Sequence, residues 1–317
     1  MGYLLNGKWN EGSPGFAGDS GEFERKASSF RSFVTADGSA GPTGEGGFQA
    51  EAGRYHLYVS LACPWAHRAL IMRVRKGLTE MIGLSVVHWF MGEDGWMFAE
   101  GEGTIPDTVN GADFLRDVYL KADPDYTGRV TVPVLWDKER GTIVSNESSE
   151  IIRMFDHAFD GVGARESDHR PDALAREIDE VNDRVYETVN NGVYKSGFAT
   201  KQAAYEHNVK ALFQSLDWLE VRLDGADFLV GNTLTEADVR LYTTLVRFDA
   251  VYHGHFKCNV RRIVDYPNLD RYLKRLYDSE GFGETTDFLH IKNHYYQSHA
   301  SINPTRIVPV GPAAIFP

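Results

Sequence analysis

In the stretch LYVSLACPWAHRAL, residues 57–70, Cys63 stands where an apolar extended run gives way to a helical one, and Pro64 follows it directly. Proline suits the first helical position, because the N–H it lacks has no intrahelical acceptor there. A thiol just before it faces the free N–H groups and the positive end of the helix dipole, which favour thiolate over thiol. The competing reading is a small cysteine buried as an apolar residue. The proline at the helix start and the strand-to-helix junction speak for a reactive one. A dithiol motif would carry its second cysteine at position 66, but Ala66 is there.

Three further groups of residues could do chemistry. Val132-Pro133 sits at the start of an apolar strand, and a proline there cannot donate to a ladder. It is either a cis-proline facing the cysteine, which leaves the Val132 backbone free to pair with an extended peptide, or an ordinary edge-strand proline. Glu147 and Ser148 open a second helix and offer a carboxylate, a hydroxyl and free N–H groups together. Such a set can hold both ends of a zwitterionic amino acid, although N-capping alone would account for Ser148. Tyrosine is abundant, 15 in all, and Tyr194 in NNGVYKSG, Tyr252 in DAVYHGH and Tyr295 in NHYYQSH stand in unusual settings.

Metal ligation is a weaker possibility. His253, His255 and Cys258 in HGHFKC supply only three ligands, and His290 with His294 in HIKNH lack the glutamate of the zinc-protease motif. No metal is expected.

The elements that must position these groups follow from periodicity. RYHLYVS at 54–60 reads as a strand, and CPWAHRALIMRVRKGL as a helix with Ala66, Leu70 and Val74 on one face and Gly77 as its stop. LSVVHWF at 84–90 is a second strand, so the order is β-α-β with a right-handed crossover. A polar insertion at about 92–129 holds one short helix at ADFLRDVYL. VTVPVLWD and TIVS then form a hairpin, and NESSEIIRMFDHAF a helix with N-cap residues at its start. This is the order of a thioredoxin-like domain, expected over 51–160. Residues 1–50, rich in Gly, Ser, Ala and Pro, read as an irregular arm. Residues 161–317 show helical spacing throughout, and Thr235 with Asp238 forms a capping box. The expected fold is therefore α/β plus all-α: a thioredoxin-like N-terminal domain followed by an all-helical C-terminal domain with an extended tail.

Bulk properties narrow the function. The 317 residues carry 33 Lys plus Arg against 45 Asp plus Glu, a net charge of −12, which disfavours nucleic acid as a partner. No segment holds the run of about 18 apolar residues a membrane helix needs, and the N-terminus lacks the basic and apolar regions of a leader. Two cysteines cannot build a disulfide framework. The expected compartment is the cytoplasm.

CPWAHR, VVHWF, VPVLWD, NESSEI, NNGVYKSGFA and KNHYYQSHASINPTRIVPVGP together resemble the glutathionyl-hydroquinone reductases, also called Xi-class glutathione transferases. The resemblance runs from the NGKW of the arm to the end of the chain. It implies a glutathione transferase architecture, glutathione as co-substrate, aromatic glutathionyl-hydroquinones as substrates and a homodimer. It further implies Cys63 as nucleophile and Trp96, Arg129, Val130, Thr131, Val132, Glu147 and Ser148 as glutathione-binding residues. Tyr194 would be the proton donor or acceptor, with Tyr252 and Tyr295 beside the thiol. In that setting Ala66 gains a meaning: with no internal cysteine to resolve it, a mixed disulfide on Cys63 waits for a second glutathione. The rivals are a monothiol oxidoreductase or dehydroascorbate reductase of Omega-like type, which would not require Tyr194, and a non-catalytic binding protein on the same fold.

Overall fold

A computed structural model describes residues 2–12, 21–23 and 27–313. Their contacts divide them into two compact units, one of residues 2–12, 27–167 and 284–294, the other of 21–23, 168–283 and 295–313.

The first unit opens with a hairpin, β1 (Gly2–Leu5) and β2 (Lys8–Glu11), and then builds β3 (Tyr55–Val59), α1 (Pro64–Arg75) and β4 (Gly83–Val86). α2 (Leu115–Ala122), β5 (Val134–Asp137), β6 (Thr142–Ser145) and α3 (Ser148–His157) follow. The main sheet has the order β4-β3-β5-β6, with β3 parallel to β4 and antiparallel to β5. Parallel neighbours need a crossover, and α1 supplies it; every residue of β3 is buried, and its histidine, His56, is paired with the Ser85 hydroxyl at 2.8 Å. α1 packs on α3, so the two helix starts that carry candidate residues lie on neighbouring helices.

The end of α1 shows why this helix stops where it does. Gly77 has φ +67°, its N–H donates to the Val74 carbonyl (2.9 Å), and the Leu78 N–H donates to the Arg73 carbonyl (2.8 Å). These paired bonds make a Schellman motif, in which glycine takes the left-handed conformation without steric cost.

The arm differs from the irregular one expected. Asn6 and Gly7 have φ values of 48° and 71°, the geometry of a type I′ turn, and they join β1 to β2. The NG pair between GYLL and KWNE is the signal for it, obscured by strands too short to display a period. Farther along, the Ser32 N–H donates to the Val144 carbonyl (3.0 Å) and the Asn146 N–H to the Phe30 carbonyl (3.2 Å), so the arm covers the free edge at β6.

The insertion contains the one expected helix, α2, and is organised by a buried carboxylate. Asp107 Oδ1 accepts from the Tyr58 hydroxyl (2.9 Å) and from the Val109 and Asn110 N–H groups (3.0 Å each), while Oδ2 accepts from the Ala112 N–H (3.1 Å).

The second unit is helical, as its spacing predicts, with α4 (Ala175–Val185), α5 (Gly192–Gly197), α6 (Gln202–Arg222), α7 (Glu236–Arg247) and α8 (Pro267–Tyr277). α9 (Phe288–Ser298) contributes its residues from Tyr295 onward to this unit and the preceding ones to the first. The start of α7 is fixed as expected: Asp238 Oδ2 accepts from both the N–H (2.8 Å) and the hydroxyl (3.0 Å) of Thr235. Two features depart from a plain helical reading. Tyr186–Asn190 and Phe248–Tyr252 are π-turns, and both lie close in sequence to candidate tyrosines. A one-residue widening leaves the apolar spacing nearly intact, so the sequence does not announce it.

Candidate active site

β3 ends at Val59, and the chain turns through Ser60–Ala62 to place Cys63 as the N-cap residue of α1, with extended φ and ψ of −79° and 121° and Pro64 at the helix start. Cys63 is half-buried and not in a disulfide. As a thiol its Sγ–H donates to the Val132 carbonyl at 3.5 Å, a weak bond. The Ala66 N–H, in the first turn, has no acceptor among the described residues. An N-cap side chain reaches the N–H groups of this turn, so a sulfur that ionises has a donor to turn to.

Val132 is the residue before Pro133, and the peptide bond between them is cis. Of the two readings of this proline, the structure shows the first. Tyrosines hold the carbonyls on either side of Val130: the Tyr126 hydroxyl donates to Arg129 O (3.2 Å) and the Tyr119 hydroxyl to Thr131 O (2.8 Å). Val130 itself is buried. The Val132 N–H donates to nothing among the described residues and is free to pair with an extended ligand. The backbone from Arg129 to Thr131, which leads to Val132, is thus anchored by these two tyrosines.

β6 ends at Ser145, and Glu147 caps α3. Its Oε1 accepts from the Ser149 N–H (3.0 Å) and the Ser149 hydroxyl (2.9 Å), and its Oε2 accepts from the Ser28 hydroxyl (3.0 Å). A carboxylate has about four acceptor sites, so one remains for an ammonium group. Ser148 is buried, its N–H has no acceptor among the described residues, and its hydroxyl accepts from Arg68 of α1 at 3.5 Å. Two adjacent residues, one with an anionic side chain and one with a free backbone N–H at a helix start, present opposite polarities to a ligand, as a zwitterion requires.

Burial acts to raise the Glu147 carboxyl, but the bonds from Ser149 and Ser28 and the charge of Arg68 outweigh it, and its pKa lies below the usual carboxylate value. A lowered folded-state value means the group stabilises the fold above its unfolded pKa, about 4.3, and this contribution is lost as pH falls through the folded value. Melting temperatures measured on the acid side of that point will therefore fall faster in the natural protein than in Glu147→Gln. Parallel curves for the two proteins would contradict it.

Trp96 belongs to the insertion and is 7% exposed. Its carbonyl accepts from the Leu115 N–H (3.0 Å), and its indole stacks on the imidazole of His294, with ring centroids 4.8 Å apart and planes at 25°. Three of the histidines considered as metal ligands make hydrogen bonds within the protein. His290 Nε2 donates to the Glu102 carbonyl (2.7 Å) and His294 Nδ1 to the Trp89 carbonyl (2.8 Å), while His255 Nε2 and His299 Nδ1 pair at 3.1 Å. Cys258 is wholly buried in the second unit, and burial pushes its thiol far up, which keeps it inert.

In the second unit the three tyrosines meet. The Tyr194 and Tyr295 hydroxyls are 2.5 Å apart and those of Tyr252 and Tyr295 3.0 Å apart, so Tyr295 is the centre of a chain of hydroxyls. Tyr296 faces elsewhere, its ring 4.9 Å from that of His255. Tyr252 and Tyr295 are fully buried and Tyr194 is half-buried, against Phe23 and Phe198. Burial, and after it the charge of Tyr194, hold Tyr252 and Tyr295 well above the ordinary phenol range, although the Arg247 charge opposes this. Both remain hydrogen-bond donors at neutral pH.

Ser28, Arg68, Ser149 and His294 escaped the sequence reading. Ser28 lies in the arm far from Glu147 in the chain, and His294 showed only as half of a spacing that suggested metal.

A thiol at a helix start beside an X–cis-Pro turn, followed in the chain by an all-helical unit, defines the class: a thioredoxin-like fold of the glutathione transferase type. Residues 62–158 match the family model for the glutathione S-transferase N-terminal domain, and residues 202–275 the model for the C-terminal domain. Glutathionyl-hydroquinone reductase PcpF of Sphingobium chlorophenolicum is 55% identical over 317 residues, covering 100% of this chain and 98% of the relative. The glutathione-bound structure of YqjG from Escherichia coli K-12 superposes with a TM-score of 0.91 at 54% identity, covering 99% of this chain and 96% of that one. The glutathione-S-transferase Xi of Phanerochaete chrysosporium gives 0.90 at 54% identity, covering 95% and 96%. The chain belongs to the Xi-class glutathione transferases, the glutathionyl-hydroquinone reductases.

Proposed function

We propose that this protein reduces glutathionyl-hydroquinones to hydroquinones, with glutathione as the second thiol. Cys63 attacks the sulfur that joins glutathione to the ring; the sulfur–carbon bond breaks and a Cys63–glutathione disulfide forms. The ring keeps the electron pair. In the keto tautomer of the substrate that pair passes to oxygen, and Tyr194 supplies the proton that completes the hydroquinone. A second glutathione thiolate attacks the glutathione sulfur of the mixed disulfide, releasing Cys63 and oxidised glutathione. The balance is one glutathionyl-hydroquinone and one glutathione consumed, one hydroquinone and one oxidised glutathione formed.

In this reading Val132 pairs through its backbone with the cysteinyl unit of glutathione. Glu147 and Ser148 hold its ammonium and carboxylate, Trp96 contacts it, and Arg129, Val130 and Thr131 shape the segment. Tyr252 and Tyr295 sustain Tyr194. The chain of three hydroxyls carries the reading beyond general disulfide exchange, since a sulfur leaving group needs no such proton source while a carbon one does. The relative PcpF, named for this activity, supports the substrate class. The acidic charge and two free cysteines support a cytoplasmic protein, and the family resemblance a homodimer.

The test is to mix the protein with glutathionyl-hydroquinone and excess glutathione and follow both products. Hydroquinone and oxidised glutathione are expected in equal amounts, with ping-pong kinetics. Absence of hydroquinone would reject the proposal.

A further inference from the structure

We propose that His294 is a positioning residue for glutathione recognition: it fixes the Trp96 indole, whose N–H meets the ligand. The backbone around Trp96 is held by other groups. A Cβ on Gly95 would lie 2.9 Å from the Trp9 ring, and the Trp9 N–H donates to Glu93 O at 3.1 Å. Arg116 reaches from α2 to donate to Asp94 O at 2.7 Å, its guanidinium 5.0 Å from the Trp9 ring and 4.1 Å from the Phe114 ring. These contacts set the loop but leave the rotation of the indole open.

His294 closes that freedom. Its ring lies against the indole at 4.8 Å, and because a carbonyl oxygen only accepts, the contact of Nδ1 with Trp89 O at 2.8 Å puts the proton on Nδ1 and fixes the imidazole plane. Both rings are 7% exposed. The Trp96 Nε1–H donates to nothing among the described residues and is not one of the buried polar atoms left unsatisfied, so on a largely buried ring this edge is the one open to solvent or a ligand. An indole nitrogen can only donate, so a ligand group that meets it is an acceptor, a carbonyl or carboxylate oxygen of the peptide. His294 decides the angle at which that donor is offered.

The inference rests on the reading that Trp96 contacts glutathione, and the experiment separates the two. In the Cys63→Ser protein, where no disulfide can form, the glutathione dissociation constant is measured by calorimetry with His294→Ala, His294→Phe, Trp96→Ala and the His294→Ala/Trp96→Ala pair. His294→Ala is expected to weaken binding about five- to tenfold, and His294→Phe, which keeps a ring against the indole, to recover part of the loss. Trp96→Ala should weaken binding at least as much as His294→Ala, and the pair no more than Trp96→Ala alone, because His294 acts through the indole. Unchanged binding in His294→Ala beside weakened binding in Trp96→Ala would overturn the role of His294 while leaving that of Trp96 intact. Unchanged binding in Trp96→Ala would remove the reading beneath it, and additive losses in the pair would show His294 acting by another route.

Discussion

Replacing Cys63 by serine will lower turnover of glutathionyl-hydroquinone by about three to six orders of magnitude while leaving glutathione binding largely intact. The chemistry demands the first half. A hydroxyl in place of the thiol is neither ionised nor able to form the disulfide through which both half-reactions pass. The second half follows from the geometry. The Val132 N–H, the Glu147 carboxylate and the Ser148 N–H belong to the segment before β5 and to the cap of α3, and the bond the sulfur makes to this segment is a single weak one, to the Val132 carbonyl. Turnover measured beside calorimetric binding checks both parts. A serine variant that still releases hydroquinone would end the nucleophilic role of Cys63, and one that no longer binds glutathione would make the thiol part of the binding site.

Replacing Tyr194 by phenylalanine will lower kcat by about 10²- to 10³-fold. Tyr252 is fully buried, and its hydroxyl shares a hydrogen bond with that of Tyr295 at 3.0 Å, so the buried O–H is satisfied within the cluster. A Tyr194 phenolate left behind by proton transfer then accepts from Tyr295 across 2.5 Å, stabilised by a chain of donors that stay protonated. Among the three, Tyr194 is the least buried. The measurement is single-turnover release of hydroquinone, compared with reduction of a small mixed disulfide as control. Loss of the first with retention of the second is expected. Hydroquinone release unchanged in Tyr194→Phe would move the function toward a general monothiol oxidoreductase.

Much of the fold was legible because local physics and global topology agree. The extended run YHLYV, the helical spacing of Ala66, Leu70 and Val74 and the Gly77 stop predict strand, helix and helix end, and each occurs. The capping box of Thr235 and Asp238 is another local signal that tertiary structure left untouched. The hairpin at Asn6-Gly7 was also present in the residues, but its four-residue strands carry too little pattern to separate them from the irregular run that follows. The π-turns were not readable, since they change the backbone while preserving the apolar face.

For the site, the sequence by itself determined the residue types that chemistry requires: one thiol before Pro64 at a helix start, an acidic cap at Glu147, tyrosines in unusual settings, and no second cysteine at position 66. These follow from short-range rules, the stereochemistry of proline and the free groups of a helix end, which act within a few residues. Only the tertiary structure decided that Val132-Pro133 is cis, that Tyr295 rather than Tyr296 joins Tyr194 and Tyr252, and that His294 stacks on Trp96. Each of these depends on which side chains the packed chain brings within a few ångströms. Hydrogen bonds and ring contacts fall away beyond that range, so residues remote in sequence acquire a common role only once the backbone has folded around them.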